Sequence, residues 1–137
     1  MLDVFAELRL LEKKLEHMQQ EMATTAGSAQ QKLLDEYGSL AAEYEERGGY
    51  TYTHQIETIM TGLGLVTKRE RPVAALSGGE KNVLALARIL LQEPDILLLD
   101  EPANHLDFAG LEWLDKFLAD YPRTVLLVSH NRYLLDQ

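Results

Sequence analysis

The 137 residues predict an α/β protein, with a parallel sheet in the C-terminal part and an α-helical region containing a helical hairpin ahead of it. Three observations carry this expectation. Apolar residues near the N-terminus recur at heptad spacing. "DILLLD" and "RTVLLVSH" are apolar runs of strand length. An amphipathic stretch, "FAGLEWLDKFLADY", lies between them, and strand, helix, strand in that order implies a right-handed crossover and parallel pairing.

Over residues 2 to 22 the apolar positions are Val4, Leu8, Leu11, Leu15, Met18 and Met22. Steps alternating between four and three form a seam along one long helix. "TTAGSAQ" interrupts it. A second seam follows at Leu33, Tyr37, Leu40 and Tyr44 and stops at Gly48 and Gly49, residues suited to a left-handed helix end. Two matched seams with a short polar connection read as an antiparallel hairpin. Glu43, Glu45 and Glu46 fall on its solvated face. "TYTHQIETIMTGLGL" gives a shorter helix, with Thr53 as N-cap and Gly62 or Gly64 as its stop. His54 has no second ligand at helical spacing and reads as a surface or capping residue. "KRER", residues 68 to 71, reads as a solvated loop. In the second part, Asp107 is expected to cap a helix that turns Leu111, Leu114, Phe117 and Leu118 inward.

Bulk properties exclude several classes. The net charge of −9 argues against wrapping nucleic acid by electrostatics alone, which needs clustered Lys and Arg. With no cysteine there is no disulfide framework and no thiolate metal site. No apolar run approaches the roughly 18 to 20 residues that span a bilayer, so direct membrane insertion is not expected and the cytoplasm is the default location.

Chemistry concentrates between residues 75 and 130. Ser77 and Glu80 are spaced as a capping box, and Gly78 and Gly79 leave backbone N–H groups bare at a helix N-terminus, where an anion is favoured. Alone, these four residues suit a well-capped helix as readily as an anion site. Asp100 closes an apolar strand at its C-terminal edge, where ligands bind in open α/β sheets and where a carboxylate can hold Mg²⁺ through water. Glu101 follows as a candidate general base. His130 stands at the equivalent edge of the second strand, able to donate to a phosphate.

Together these segments resemble the ATP-binding cassette ATPases. "LSGGEK" (76–81) resembles the signature motif, "ILLLDEP" (96–102) Walker B, "NHLD" (104–107) the D-loop, and His130 the switch histidine. "EPANHLD" followed by "SHNRYLLD", and the helical hairpin with "ERGGYTYTHQIETIMTGLGL", resemble the first cassette of the ABC-F subfamily in particular. The resemblance implies a partial P-loop NTPase core, with residues 1–75 as hairpin and helical subdomain and 76–137 as signature helix, Walker B strand, D-loop and switch part of the core. It further implies ATP and Mg²⁺ as cofactors. Asp100 would serve the metal, Glu101 and His130 would be catalytic, and Ser77, Gly78, Gly79, Glu80 and Asp107 would face ATP bound to an opposing cassette. Ala103, Val83 and Asn131 depart from the usual ABC-F pattern, where threonine, a basic residue and aspartate are common; none of the three removes a catalytic group.

No G-x-x-x-x-G-K-[ST] loop occurs in the 137 residues, although that loop's amides and lysine do most of the phosphate holding. The expectation is therefore the C-terminal portion of a cassette, inactive as an ATPase alone. Its expected partners are the second nucleotide-binding domain of the same protein and the ribosome, with a homodimer of this chain as a further possibility. The alternatives are the ATP-binding subunit of a membrane transporter and a non-catalytic helical interaction module.

Overall fold

The computed structural model describes residues 1–131 and 134. Arg132, Tyr133 and the end of the "SHNRYLLD" resemblance lie outside the described residues. The chain forms two compact units, one of residues 2–54 and the other of residues 55 onward together with Met1.

The first unit is the expected hairpin. Helix α1 covers Ala6–Thr24 and α2 covers Ser28–Glu46. They run antiparallel, because Arg47 pairs with Glu7, the Gln19 amide donates to Tyr37 Oη (2.7 Å) and the Gln30 amide donates to the Met22 carbonyl (3.3 Å). Leu8, Leu15, Met18 and Tyr44 from the two predicted seams are buried. The connection is shorter than "TTAGSAQ" suggested: Gly27 takes a positive φ of 72° and lets α2 begin at Ser28. At the far end, Gly49 N–H donates to Tyr44 O and Gly48 N–H to Glu45 O, with Gly48 at φ 76°. That paired bonding is a Schellman closure. Gly49 has a second constraint, since a Cβ there would fall 2.4 Å from the Tyr44 ring.

Helix α3 covers Tyr52–Gly62. Thr53 therefore lies in its first turn and is not its cap. Tyr52 starts the helix because its own side chain is tied down: its ring lies 5.1 Å from that of Phe5, and its hydroxyl donates to Glu12 (3.0 Å). The two candidate stops divide the work. Gly64, at φ 67°, closes the helix by a second Schellman pattern, with Leu65 N–H bonded to Met60 O and Gly64 N–H to Thr61 O. Gly62 allows close approach, because a Cβ there would lie 2.1 Å from the Trp113 ring.

The second unit continues through two short 3₁₀ turns, Val66–Lys68 and Val73–Ala75, into α4, Gly78–Leu91. The "KRER" run is more constrained than a solvated loop: Lys68 pairs with Glu80 and Arg69 with Glu57. Strand β1, Ile96–Asp100, then pairs in parallel with β2, Thr124–Val128, through the crossover helix α5, Phe108–Ala119. Ile96 faces Thr124 and Asp100 faces Val128 across the ladder. The core of this unit holds Leu86, Ala87, Leu90, Leu97, Leu99 and Leu114.

Each strand alone reads as an apolar run that would be buried, but two strands are too few to be covered on both faces, and only alternate residues of β1 are covered. Ile96, Leu98, Leu126 and Val128 are exposed, by 56–65%. With two strands among the described residues, one side of the sheet has no layer over it.

Candidate functional site

The N-terminus of α4 is built as the sequence predicts. Ser77 Oγ accepts from Glu80 N–H (3.2 Å), and Glu80 Oε2 accepts from Ser77 N–H (2.8 Å), completing the capping box. The second Glu80 oxygen is held by Lys68 Nζ at 2.6 Å. The lysine's hydrogen bond first, and the Ser77 backbone second, pull the Glu80 carboxyl down to about 2. Glu80 is thus an anion with both oxygens engaged by protein groups. Gly78 and Gly79 open the helix, and their amides precede the first intrahelical partners. A helix N-terminus of this kind favours an anion.

The C-terminal edge of the sheet brings together three of the four remaining chemistry-bearing residues. Asp100 ends β1 and is exposed. Glu101 follows in the left-handed region, at φ 46° and ψ 49°. For a residue with a Cβ that conformation costs roughly 1–2 kcal/mol. Two bonds hold it there: Glu101 N–H donates to Val128 O (2.8 Å), and Glu101 Oε1 accepts from His130 N–H (2.8 Å). The backbone turn swings the Glu101 side chain toward the end of β2. His130 Nε2 stands 3.7 Å from the same oxygen, and its side chain is 99% exposed. Glu101 and His130, 29 positions apart in sequence, therefore share one strand-end corner, with Asp100 directly before it.

Pro102–His105 forms a 3₁₀ turn that leads from this corner to Asp107, whose Oδ1 accepts from Gly110 N–H (2.8 Å) and caps α5 as expected. His105, at the end of that turn, lies beside the α4 N-terminus: a Cβ on Gly79 would sit 3.3 Å from His105 Nδ1. A cavity of about 370 Å³ lies along these residues, with Asn82, Asp100, Glu101, Asn104 and His105 among its lining. A second groove, about 420 Å³, runs along the Trp113, Phe117 and Tyr121 rings. It holds none of the strand-end acids, so the chemistry belongs to the first.

The structure thus groups Asp100, Glu101 and His130 at one edge and Ser77, Gly78, Gly79 and Glu80 at one helix start. Asp107 sits a turn away and is used as a cap. Sequence reasoning missed Lys68 as the partner of Glu80 and His105 as the neighbour of Gly79. Both are non-local contacts; His105 lies inside "NHLD", which was the one available signal, and Lys68 lies in "KRER", whose pattern did not point to Glu80.

The donor set suits the implied cofactors within limits. The resemblance to ATP-binding cassette ATPases implies ATP with Mg²⁺. Among the described residues no group of three or more His, Asp or Glu side chains could hold a metal. A single exposed carboxylate at Asp100 matches an ion that keeps its waters and takes further oxygens from phosphate.

A family model described as ABC transporter matches residues 3–104. The tylosin resistance ATP-binding protein TlrC of Streptomyces fradiae is 41% identical over 133 residues, covering 96% of this chain and 24% of that protein. The energy-dependent translational throttle protein EttA of Mycobacterium tuberculosis (strain CDC 1551 / Oshkosh) is 44% identical over 105 residues, 77% of this chain and 19% of its own length. EttA of Escherichia coli (strain K12) is 43% identical over the same shares. The chain spans about a quarter or less of the length of these relatives. No helix of the described residues is long and apolar enough to cross a membrane. With the family model covering most of the chain and the strand-end and helix-start motifs in place, this chain belongs to the ABC transporter family, with the P-loop NTPase fold class that membership carries and ABC-F proteins as its relatives.

Proposed function

We propose that the chain is part of the first nucleotide-binding cassette of an ABC-F ATPase that acts on the ribosome, in translation or in antibiotic resistance. The observation that carries this is the convergence of Asp100, Glu101 and His130 at one sheet edge beside a capped, glycine-bearing helix start. Relatives that are a tylosin resistance ATP-binding protein and an energy-dependent translational throttle protein support a setting in antibiotic resistance or translation.

In this reading, residues 1–75 form the hairpin and helical subdomain and 76–137 the catalytic part. Glu101 provides the proton acceptor: its carboxylate is fixed by His130 N–H and aimed from a left-handed turn. His130, exposed and beside it, is free to turn its imidazole toward a phosphate. Asp100 would hold Mg²⁺, which when bound would supply neutralisation of phosphate charge. Ser77, Gly78, Gly79 and Glu80 present the α4 N-terminus to ATP held by the opposing cassette, with Glu80 fixing the turn's shape, and Asp107 couples the two sites. Positioning supplies most of the catalysis in phosphoryl transfer, and no phosphate-binding loop sequence occurs in these residues, so the chain by itself is inactive.

Two further parts of the proposal concern assembly. The partner for hydrolysis is the second cassette of the same protein. The isolated chain, with Leu98 and Leu126 side by side on an uncovered sheet face, self-associates through that face. A ribosome-pelleting assay on the full-length protein tests the biological setting. Nucleotide-dependent co-sedimentation, enhanced in Glu101→Gln, is the expected result. Equal amounts in the supernatant with and without nucleotide would instead favour an ATP-binding subunit of a membrane transporter.

A further inference from the structure

We infer that His105 is a positioning residue that ties the turn Pro102–His105 to the helix start at Gly79, so that the strand-end loop and the glycine turn shift together. This rests on the functional reading above, in which Gly79 faces nucleotide and residues 104–107 couple two sites.

Each half of the link is held rigidly except where they meet. On the α4 side, Ser77 and Glu80 lock the turn reciprocally and Lys68 pins the Glu80 carboxylate. On the loop side, the turn runs from the strained Glu101 backbone to the Asp107 cap, with Asn104 N–H on Glu101 O and Leu106 N–H on Ala103 O. Between them stands the His105 side chain. A Cβ at Gly79 would meet its Nδ1 at 3.3 Å, its Cγ at 3.5 Å and its Cβ at 3.7 Å. Three atoms of one side chain therefore line the place where Gly79 lacks a substituent. The Gly79 position thus has a steric reason within this chain, besides any nucleotide approach. A planar side chain there transmits displacement by contact, since packed groups shift between discrete arrangements and do not deform smoothly. The ring also walls the 370 Å³ cavity next to Asp100 and Glu101, so a shift at one loop alters the other's side of the same space.

The test begins with isotope-labelled chain and amide spectra. His105→Ala should move the Gly79 and Glu80 resonances more than those of Leu90 and Leu91 at the other end of α4, and His105→Phe, which keeps a ring, should leave them nearer the parent positions. Gly79→Ala approaches the pair from the other side and should displace the His105 ring proton resonance while those of His17 and His54 stay. This second variant serves if His105→Ala does not fold. Gly79 and Glu80 resonances unmoved by His105→Ala, or a His105 resonance unmoved by Gly79→Ala, overturn the inference. In the full-length protein, His105→Ala should lower ATP turnover about ten-fold, with His105→Phe recovering most of it. Equal loss in both variants, or none in either, overturns the coupling role. Glu101→Gln run in parallel tests the functional reading separately. If that variant still turns over, the reading fails while the spectra continue to decide the contact.

Discussion

At the residue scale, the two acids of the helix start and strand end are held by opposite devices. Glu80 is stabilised as an anion by Lys68 and by Ser77 N–H, from an ordinary 4.5 down to about 2. Because its folded value lies below its unfolded one, its contribution to stability is fully present above about pH 4.5 and fades as pH falls toward 2. Urea melts of the parent and Glu80→Gln should therefore differ at pH 6 by more than at about pH 2.5, where the carboxyl approaches its folded midpoint; a gap unchanged between these conditions would contradict this. Ser77→Ala removes one arm of the box and should cost about 1 kcal/mol in the same melts. Glu101, by contrast, is held in a strained backbone by neighbours. Glu101→Gln retains an amide oxygen for His130 N–H, so the melting transition should stay in place while turnover in the full-length protein falls by about two to four orders of magnitude. A loss of folding in that variant would show that the charge, not the acceptor geometry, holds the corner.

At the element scale, the helix ends show what a sequence discloses and what it hides. The hairpin seams were legible because heptad spacing is a local signal, and the Gly48-Gly49 closure was legible because only glycine takes that backbone readily. The start of α3 was not, because Tyr52 is fixed by Phe5 and Glu12, at least 40 residues earlier in the chain. The ion pairs of "KRER" were hidden for the same reason, as Lys68 and Arg69 find their acids on other elements. In the site, Asp100, Glu101, His130 and the capping box could be named from motifs, whereas the left-handed Glu101 turn and the His105–Gly79 contact arise only when β1, its following turn and α4 are packed together. Packing also explains Gly62. Gly62→Ala places a methyl inside the Trp113 ring, and we expect it to destabilise the chain by about 1–3 kcal/mol. In a Trp113→Leu background the same change should cost less, and full additivity in thermal melts would contradict the contact.

At the scale of the whole molecule, the sheet is the part left uncovered on one face among the described residues. Its paired strands carry Leu98 against Leu126 on an uncovered face, and both strands have a free edge among the described residues. Light scattering should show mass rising with concentration for the parent chain and a monomer for Leu98→Lys/Leu126→Lys. Monomeric parent chain across the range would rule out that face as a self-association surface. The larger proposal is a division of labour: this chain carries the strand-end acids and a helix start that would meet nucleotide from across an interface, while no phosphate-gripping loop sequence occurs in its 137 residues. Calorimetric titration of the purified chain with Mg-ATP tests that claim most directly. The account predicts no saturable heat up to about 1 mM nucleotide, a binding free energy weaker than about −4 kcal/mol. Saturable binding in the micromolar range would contradict it and would mean that the residues present assemble a nucleotide grip of their own.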